Sequence, residues 1–426
     1  MRNLRAKILH FNHSTKLSES FFKNVSHSPN KTKNICVYAS ISLFLHKKKD
    51  MTDIMQQPVR MAAEWETQWG VQLTWPHEAT DWAPYLHDIE LTYIKMARAI
   101  AAHERLVIVA PDVERVQRLI SKDVNMENVR FHQCPTNDTW ARDHAFLSLT
   151  DGSLLDFRFN GWGDKFAADK DNAINQSLFT SLAEWMEADN NGAKNETTTH
   201  ETGNKEPAAA RPTYSDQTDF VLEGGSIESD GHGTLFTTTH CLLAPHRNQP
   251  LDQQQIEAEL KRRLHADRVL WIDHGHLDGD DTDGHIDTLV RIAPNDTLLY
   301  IGCDDPADEH YDDLKAMEAQ LRTFQTKEGK PYRLLRLPMT EAIYNDGERL
   351  PATYANYLVL NEAVLVPVYQ QPSNDRKALY TIQQAFPHHE LIAIDSRTIV
   401  RQHGSIHCCT MQYPLFHPST KKAKRQ

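Results

Sequence analysis

The chain has 426 residues, of which 40% are hydrophobic, 24% charged and 8% aromatic, with a formal net charge of −12. This composition supports a substantial core and excludes collagen, a coiled coil and wholesale disorder. The charge is uneven: residues 1–50 hold ten Lys+Arg against two Asp+Glu, leaving 36 against 56 beyond them, so the body of the chain repels phosphate backbones, argues against a nucleic-acid partner and attracts small cations.

Residues 1–58 read as a basic, serine-rich leader, either disordered, targeting to an organelle, or lying upstream of a true start at Met51. Its apolar run 35–45 is too short to cross a bilayer, and no later stretch is longer, so no membrane partner is expected. Residues 59–417 read as a single α/β domain in which short apolar strands alternate with amphipathic helices. Strands are expected at 105–110, 129–133, 145–149 and 154–159, the last two flanking the hairpin signal Asp151-Gly152. Further strands are expected at 234–238, 269–272, 288–292, 298–301, 333–337, 357–360, 364–368 and 391–394. Helices fit between them at 85–104, 113–120, 172–187, 253–264, 308–324 and 375–386. Residues 188–219 carry no large apolar side chain except Tyr214 and read as a mobile surface insertion. Residues 418–426 form a basic tail. No pair of the six cysteines has C-x-x-C spacing, which removes the main support for a zinc ribbon or a thioredoxin-type motif; a reducing, cytoplasmic setting is expected.

Two segments carry dense chemistry. Residues 273–287 pack six Asp and three His into fifteen positions. Asp280, Asp281, Asp283, His285 and Asp287 offer metal-binding atoms, but the spacing fits neither an EF-hand nor a zinc helix. His285 and Asp287 precede an apolar run, and strand alternation would point both to one side, which suits acid–base work. Near the C-terminus, Gly404-Ser-Ile-His-Cys408 supplies a nucleophile candidate; Cys409, next along, would face the other way in a strand, so one of the two cysteines belongs to the core.

Five motifs occur in order: Trp140-Ala-Arg-Asp143, Phe159-Asn-Gly-Trp-Gly163, Leu222-Glu-Gly-Gly225, Gly279-Asp-Asp-Thr-Asp-Gly-His-Ile-Asp287 and Gly404-Ser-Ile-His-Cys408. Together they resemble the agmatine deiminase and bacterial (Porphyromonas-type) peptidyl-arginine deiminase family of the pentein superfamily. The resemblance covers nearly the whole globular part. It implies a five-bladed α/β propeller of ββαβ units around a central channel. It implies a catalytic set of Cys408 as nucleophile, His285 as general acid and base, and Asp143 and Asp287 as carboxylates gripping a guanidinium. Ser405 stands where many agmatine deiminases have Asn.

The expected activity is metal-independent hydrolysis of agmatine to N-carbamoylputrescine and ammonia through an amidino-cysteine intermediate. No metal and no organic cofactor are expected. Trp140 and Trp162 are candidate walls for the cationic substrate, with core packing the other reading. Glu223 is a candidate for holding a ligand amine, or merely for capping a turn. Asp143 pairing only with Arg142 is its structural alternative. Deimination of terminal arginine in peptides is the competing activity, and Arg158 is the candidate partner for a peptide carboxylate. A non-catalytic pentein binding module is the more remote alternative, and self-association into a homo-oligomer stays open.

Overall fold

Buried apolar runs bounded by turns pair into five mixed sheets, and a two-stranded ribbon joins Tyr344–Asn345 to Glu348–Arg349. The computed structural model describes residues 58–197 and 211–416. The expected leader up to residue 57, positions 198–210 of the expected insertion and the tail 418–426 lie outside the described residues.

Four sheets share one plan: an antiparallel pair, then a helical crossover to a parallel third strand. They are Leu147–Ser148, Ser153–Arg158 and Thr213–Val221; Ile227–Ser229, Thr234–Thr238 and Arg268–Ile272; Val290–Ala293, Thr297–Gly302 and Arg333–Pro338; and Leu358–Val359, Ala363–Val368 and Glu390–Asp395. The crossovers carry the helices Asp169–Thr197, Gln253–Arg263, Tyr311–Leu321 and Pro372–Ala385, since parallel neighbours need a long connection. The remaining sheet has four strands in the order Thr410–Pro414, Gln68–Thr74, Arg105–Ala110, Val129–Gln133. Its first pair is antiparallel and the others are parallel. The C-terminal strand therefore lies beside an N-terminal one. That pairing draws the segment preceding residue 410 toward the segment preceding residue 68.

Helix Leu86–His103 shows how sequence becomes packing. Ile89, Tyr93, Met96 and Ile100 recur at helical spacing and are fully buried. They join one cluster with Val71, Leu73, Leu106 and Ile108 of the four-stranded sheet. Burying each such side chain stabilises by about 1.5–3 kcal/mol.

One expectation needs correction, and one strand was not expected. Residues 188–219 are not wholly a surface insertion. The helix that opens at Asp169 runs to Thr197, and Thr213–Val221 is a paired strand. Ionic and hydrogen-bonded anchors hold these polar ends where hydropathy sees none. Asp189 takes Trp69 Nε1 at 3.1 Å and Arg105 at 2.8 and 2.9 Å, and Tyr214 donates to Asp156 Oδ2 at 2.5 Å. Strand Gln68–Thr74 was not expected because Gln68, Gln72 and Thr74 interrupt its apolar pattern, yet it is buried throughout. Gln68 donates to Glu64 O and Val359 O, and Gln72 Oε1 accepts from Tyr413. Among the described residues, no helix is long and apolar enough to cross a membrane.

Candidate active site

Asp143 lies in the single helical turn Ala141–His144, and the Arg142 amide donates to Cys408 O at 3.1 Å. That bond ties the turn to the nucleophile segment. Asp143 is not engaged by its neighbour: Arg142 turns away, its Nε donating to His407 O at 3.3 Å. Instead Asp143 Oδ2 accepts from Trp162 Nε1 and Oδ1 from the Gly225 amide, each at 3.0 Å. Gly225 is dictated by close approach, because a Cβ there would lie 2.5 Å from His285 Nδ1 and 2.9 Å from Asp143 Oδ1. Trp162 sits at φ 56°, between glycines that also have positive φ, and this turn aims its indole at Asp143.

His285 and Asp287 do share a site, though not through strand alternation. Ile286–Thr288 is a tight 3₁₀ turn, and the strand starts only at Val290. Both side chains are fully buried. His285 Nδ1 lies 3.6 Å from Asp143 Oδ1, and neither ring nitrogen has a hydrogen-bond partner. Asp287 Oδ2 accepts from His407 Nδ1 at 2.8 Å and from Cys408 Sγ at 3.7 Å, while Oδ1 has no partner.

Cys408 occupies a turn, with its amide donating to Asn356 Oδ1 at 3.2 Å. It lines a cleft of about 530 Å3, mouth included, together with Trp140, Asp143 and Trp162. Cys409 does not line the cleft and is fully buried in the cluster under the four-stranded sheet. Trp140 covers Gly404, where any Cβ would strike its ring at 2.1 Å. Ser405 is buried with its hydroxyl 3.3 Å from Tyr369 OH. The mouth is acidic: Asp81, Asp138, Asp280 and Asp281 line it, and His403 is the one basic residue among those lining it.

Burial pushes the Asp143 carboxyl up to about 6, against the pull of His285. Burial also disfavours a charged His285, but Asp143, Cys241 and Glu223 around it carry its pKa well above the ordinary imidazole range. For Asp287, burial is outweighed by the hydrogen bond and charge of His407, then by His285 and Arg291, and its pKa falls below the usual value. Cys408 is pushed well above the thiol range, first by burial and then by Asp287 and Asp143.

Residues 60–414 match the Porphyromonas-type peptidyl-arginine deiminase family. The chain belongs to that family. Agmatine deiminase of Pseudomonas syringae pv. tomato is 31% identical over 378 residues, covering 83% of this chain and 95% of the relative. A solved Cys-to-Ser variant of C. jejuni agmatine deiminase with substrate bound is 34% identical, with a TM-score of 0.70, covering 84% of this chain and 96% of that one. A Porphyromonas gingivalis protein, provisionally named an arginine deiminase, is 45% identical, with a TM-score of 0.73, covering 84% of this chain and 98% of its own.

Within this family member, two readings of single residues change, those of Glu223 and Arg158. Glu223 does not line the cleft; it is fully buried behind it and faces Arg247 Nε at 3.0 Å. A carboxylate already matched by a buried guanidinium is poorly placed to take a ligand amine. The acids of 280–287 do not converge on a common point. Asp280 caps its own turn through Thr282 and Gly284, Asp283 meets Lys165 and Arg247, and Asp287 faces His407. Arg158 is exposed at the end of its strand and does not line the cleft.

Sequence reasoning missed the groups behind the site. Asn356 accepts from the Cys408 amide, its backbone oxygen accepts from the His407 amide, and its Nδ2 donates to Asp287 O. Glu64, Arg291 and Glu228 surround His407. Glu64 lies far from any motif in sequence, and only pairing of the terminal strands delivers it.

Proposed function

We propose that this chain is a guanidine deiminase that hydrolyses agmatine to N-carbamoylputrescine and ammonia. The observation that carries the reading is convergence: Asp143, His285, Asp287 and Cys408 come from three distant segments; Asp143 and Cys408 line one cleft, and buried against them lie His285, 3.6 Å from Asp143 Oδ1, and Asp287, 3.7 Å from Cys408 Sγ. The buried atoms without hydrogen-bond partners, Asp287 Oδ1 and both His285 nitrogens, belong to this set. A buried acceptor beside a buried imidazole suits a planar cation that arrives with its own donors.

Asp143 and Asp287 hold the guanidinium plane and balance its charge. Its positive charge beside Cys408 favours the thiolate that Asp287 and Asp143 alone oppose. The thiolate attacks the central carbon, forming the carbon–sulfur bond. His285 passes its proton to the departing nitrogen, which leaves as ammonia. Neutral His285 then takes a proton from water, whose oxygen attacks the amidino-thioether carbon and releases the thiolate. None of these steps calls for a metal or an organic cofactor.

Agmatine is favoured over an arginyl peptide by the mouth. Four acids there attract a second amine and repel a carboxylate. The fold reading follows the same logic: five sheets with recurring strand order and a closing C-terminal strand support a five-bladed propeller around a central channel. A cytoplasmic setting agrees with the free state of Cys134, Cys241, Cys303, Cys408 and Cys409. The deciding experiment compares ammonia release from agmatine, free arginine and a peptide with C-terminal arginine. A folded enzyme that releases none from all three sinks the reading, and preference for the peptide moves it to the competing activity.

A further inference from the structure

Directly behind the cleft lies a buried charge network that the reaction steps above do not use. Arg291 is fully buried and donates through all three nitrogens. Nε meets Glu228 at 2.5 Å, Nη1 meets Ala355 O and Tyr357 O, and Nη2 meets Glu64 at 2.5 Å and His407 Nε2 at 3.0 Å. His407 Nε2 also lies 2.8 Å from Glu64 Oε2. Its other nitrogen, Nδ1, donates to Asp287 Oδ2. The imidazole thus spans from a fixed ion-pair network to a carboxylate of the site, and its own backbone leads into Cys408.

We propose that His407 is a positioning residue, clamped between Glu64 and Asp287, that fixes the Asp287 carboxylate so that one oxygen faces Cys408 and the other is left for the guanidinium. Three observations support this. Asp287 Oδ2 is shared by His407 and Cys408, whereas Oδ1 has no partner. An isolated carboxylate would rotate about its last torsion and exchange the two oxygens; the His407 bond removes that freedom. The backbone that carries the ring is held on both sides, because the His407 carbonyl accepts from Arg142 Nε and its amide donates to Asn356 O, and the ring itself meets Asp287 at Nδ1 and Glu64 at Nε2. Asp287 is faced by His407 and Cys408 from the nucleophile turn, His285 from its own turn, Arg291 from the adjoining strand, and Arg142 and Asp143 from the helical turn. Of these, His407 makes the only side-chain hydrogen bond from a nitrogen to the Asp287 carboxylate among the described residues.

This inference rests on the deiminase reading, and a double-mutant cycle tests it. His407→Phe is expected to lower kcat for agmatine about 10- to 100-fold, with KM changing less, while His407→Gln, which keeps a donor, loses less. The acid limb of kcat/KM is expected to move to higher pH, because Asp287 loses the partner that holds it ionised. In the Asp287→Asn background, His407→Phe is expected to add less than about twofold, because both changes act through one carboxylate. Losses that multiply, or an acid limb that stays in place, overturn the proposal. If His407→Phe does not fold, His407→Gln runs the same cycle with the same two outcomes. If the wild-type protein releases no ammonia from any guanidine, the deiminase reading fails by itself. The pH dependence of Cys408 alkylation by iodoacetamide then decides on His407. A shift caused by His407→Phe that disappears in the Asp287→Asn background supports the clamp; a shift equal in both backgrounds ends it.

Discussion

Arg291 and the pair Asp287–His285 occupy two buried polar regions separated by a single imidazole, that of His407. Around Arg291, every guanidinium nitrogen donates to a carboxylate or a carbonyl. Around Asp287 and His285, one carboxylate oxygen and two ring nitrogens have no hydrogen-bond partner, although His285 Nδ1 lies 3.6 Å from Asp143. Both regions are equally removed from water. A satisfied buried network fixes geometry, while unsatisfied groups raise the free energy of the folded state until something binds them. The first region is thus built for rigidity and the second for a ligand. The comparison teaches that charge burial alone does not mark a site; unmet hydrogen-bonding capacity beside a nucleophile does.

The sharpest way to break that comparison is at the adjacent cysteines. Both pack in the same apolar cluster, but Cys408 also lines the cleft and contacts Asp287, whereas Cys409 does not line it. Cys408→Ala is expected to lower kcat for agmatine on the order of 10⁴-fold or more, since the nucleophile is removed. Cys409→Ala is expected to leave most of the turnover and to lower the melting temperature slightly. Equal losses of ammonia release in two folded variants would remove Cys408 from its role.

The same operation, deleting one charge, should read differently in the two regions. Arg291→Met leaves Glu64 and Glu228 buried without their cation and is expected to destabilise the fold by about 3–5 kcal/mol in urea titration. Asp143→Asn and Asp287→Asn delete charges that the bound substrate is to share with His285 and His407. Each is expected to lower kcat/KM about 10²-fold, with a smaller change in the urea midpoint than Arg291→Met. An Arg291→Met protein as stable as wild type, or an Asn variant that unfolds, would erase the distinction.

Much of this layout was legible in the residues. Strands Arg105–Ala110, Val129–Gln133 and Thr234–Thr238 and helix Val113–Ile120 read directly from apolar runs, periodicity and turn signals. The motifs named Asp143, His285, Asp287 and Cys408, which the fold brings together. What stayed hidden has three physical causes. Strands Gln68–Thr74 and Thr213–Val221 carry buried or anchored polar groups whose bonding partners are remote in sequence, so hydropathy failed there. The right outcome for His285 and Asp287 came from the wrong geometry, because a 3₁₀ turn and a strand can both aim two residues at one point. Glu223 looked free because Arg247, which neutralises it, lies 24 positions away.

Glu104 tests how far an unpartnered buried atom can be read as function. It shares that property with Asp287: Oε1 has no partner, while Oε2 accepts from the Asn361 amide at 3.0 Å. Unlike Asp287, which accepts from Cys408 Sγ at 3.7 Å, its carboxylate accepts only from the Asn361 amide among the described residues. Burial pushes its pKa up to about 8, the Asn361 bond pulls the other way, and the charge of Glu64 adds to the rise. The folded pKa lies above the unfolded 4.5, so the folded state holds the proton longer. Stability from this group is therefore fully present below pH 4.5 and falls as pH rises toward 8. The slope is at most about 1.4 kcal/mol per pH unit. Glu104→Gln mimics the protonated form and cannot ionise. It is expected to match wild-type stability near pH 5, to exceed it near pH 8, and to leave kcat for agmatine unchanged at both. Urea midpoints and ammonia release measured across that range separate the two kinds of buried acid. A Glu104→Gln enzyme whose turnover falls while its midpoint does not move would place Glu104 with Asp287, and an unpartnered oxygen would then point to function even away from a nucleophile.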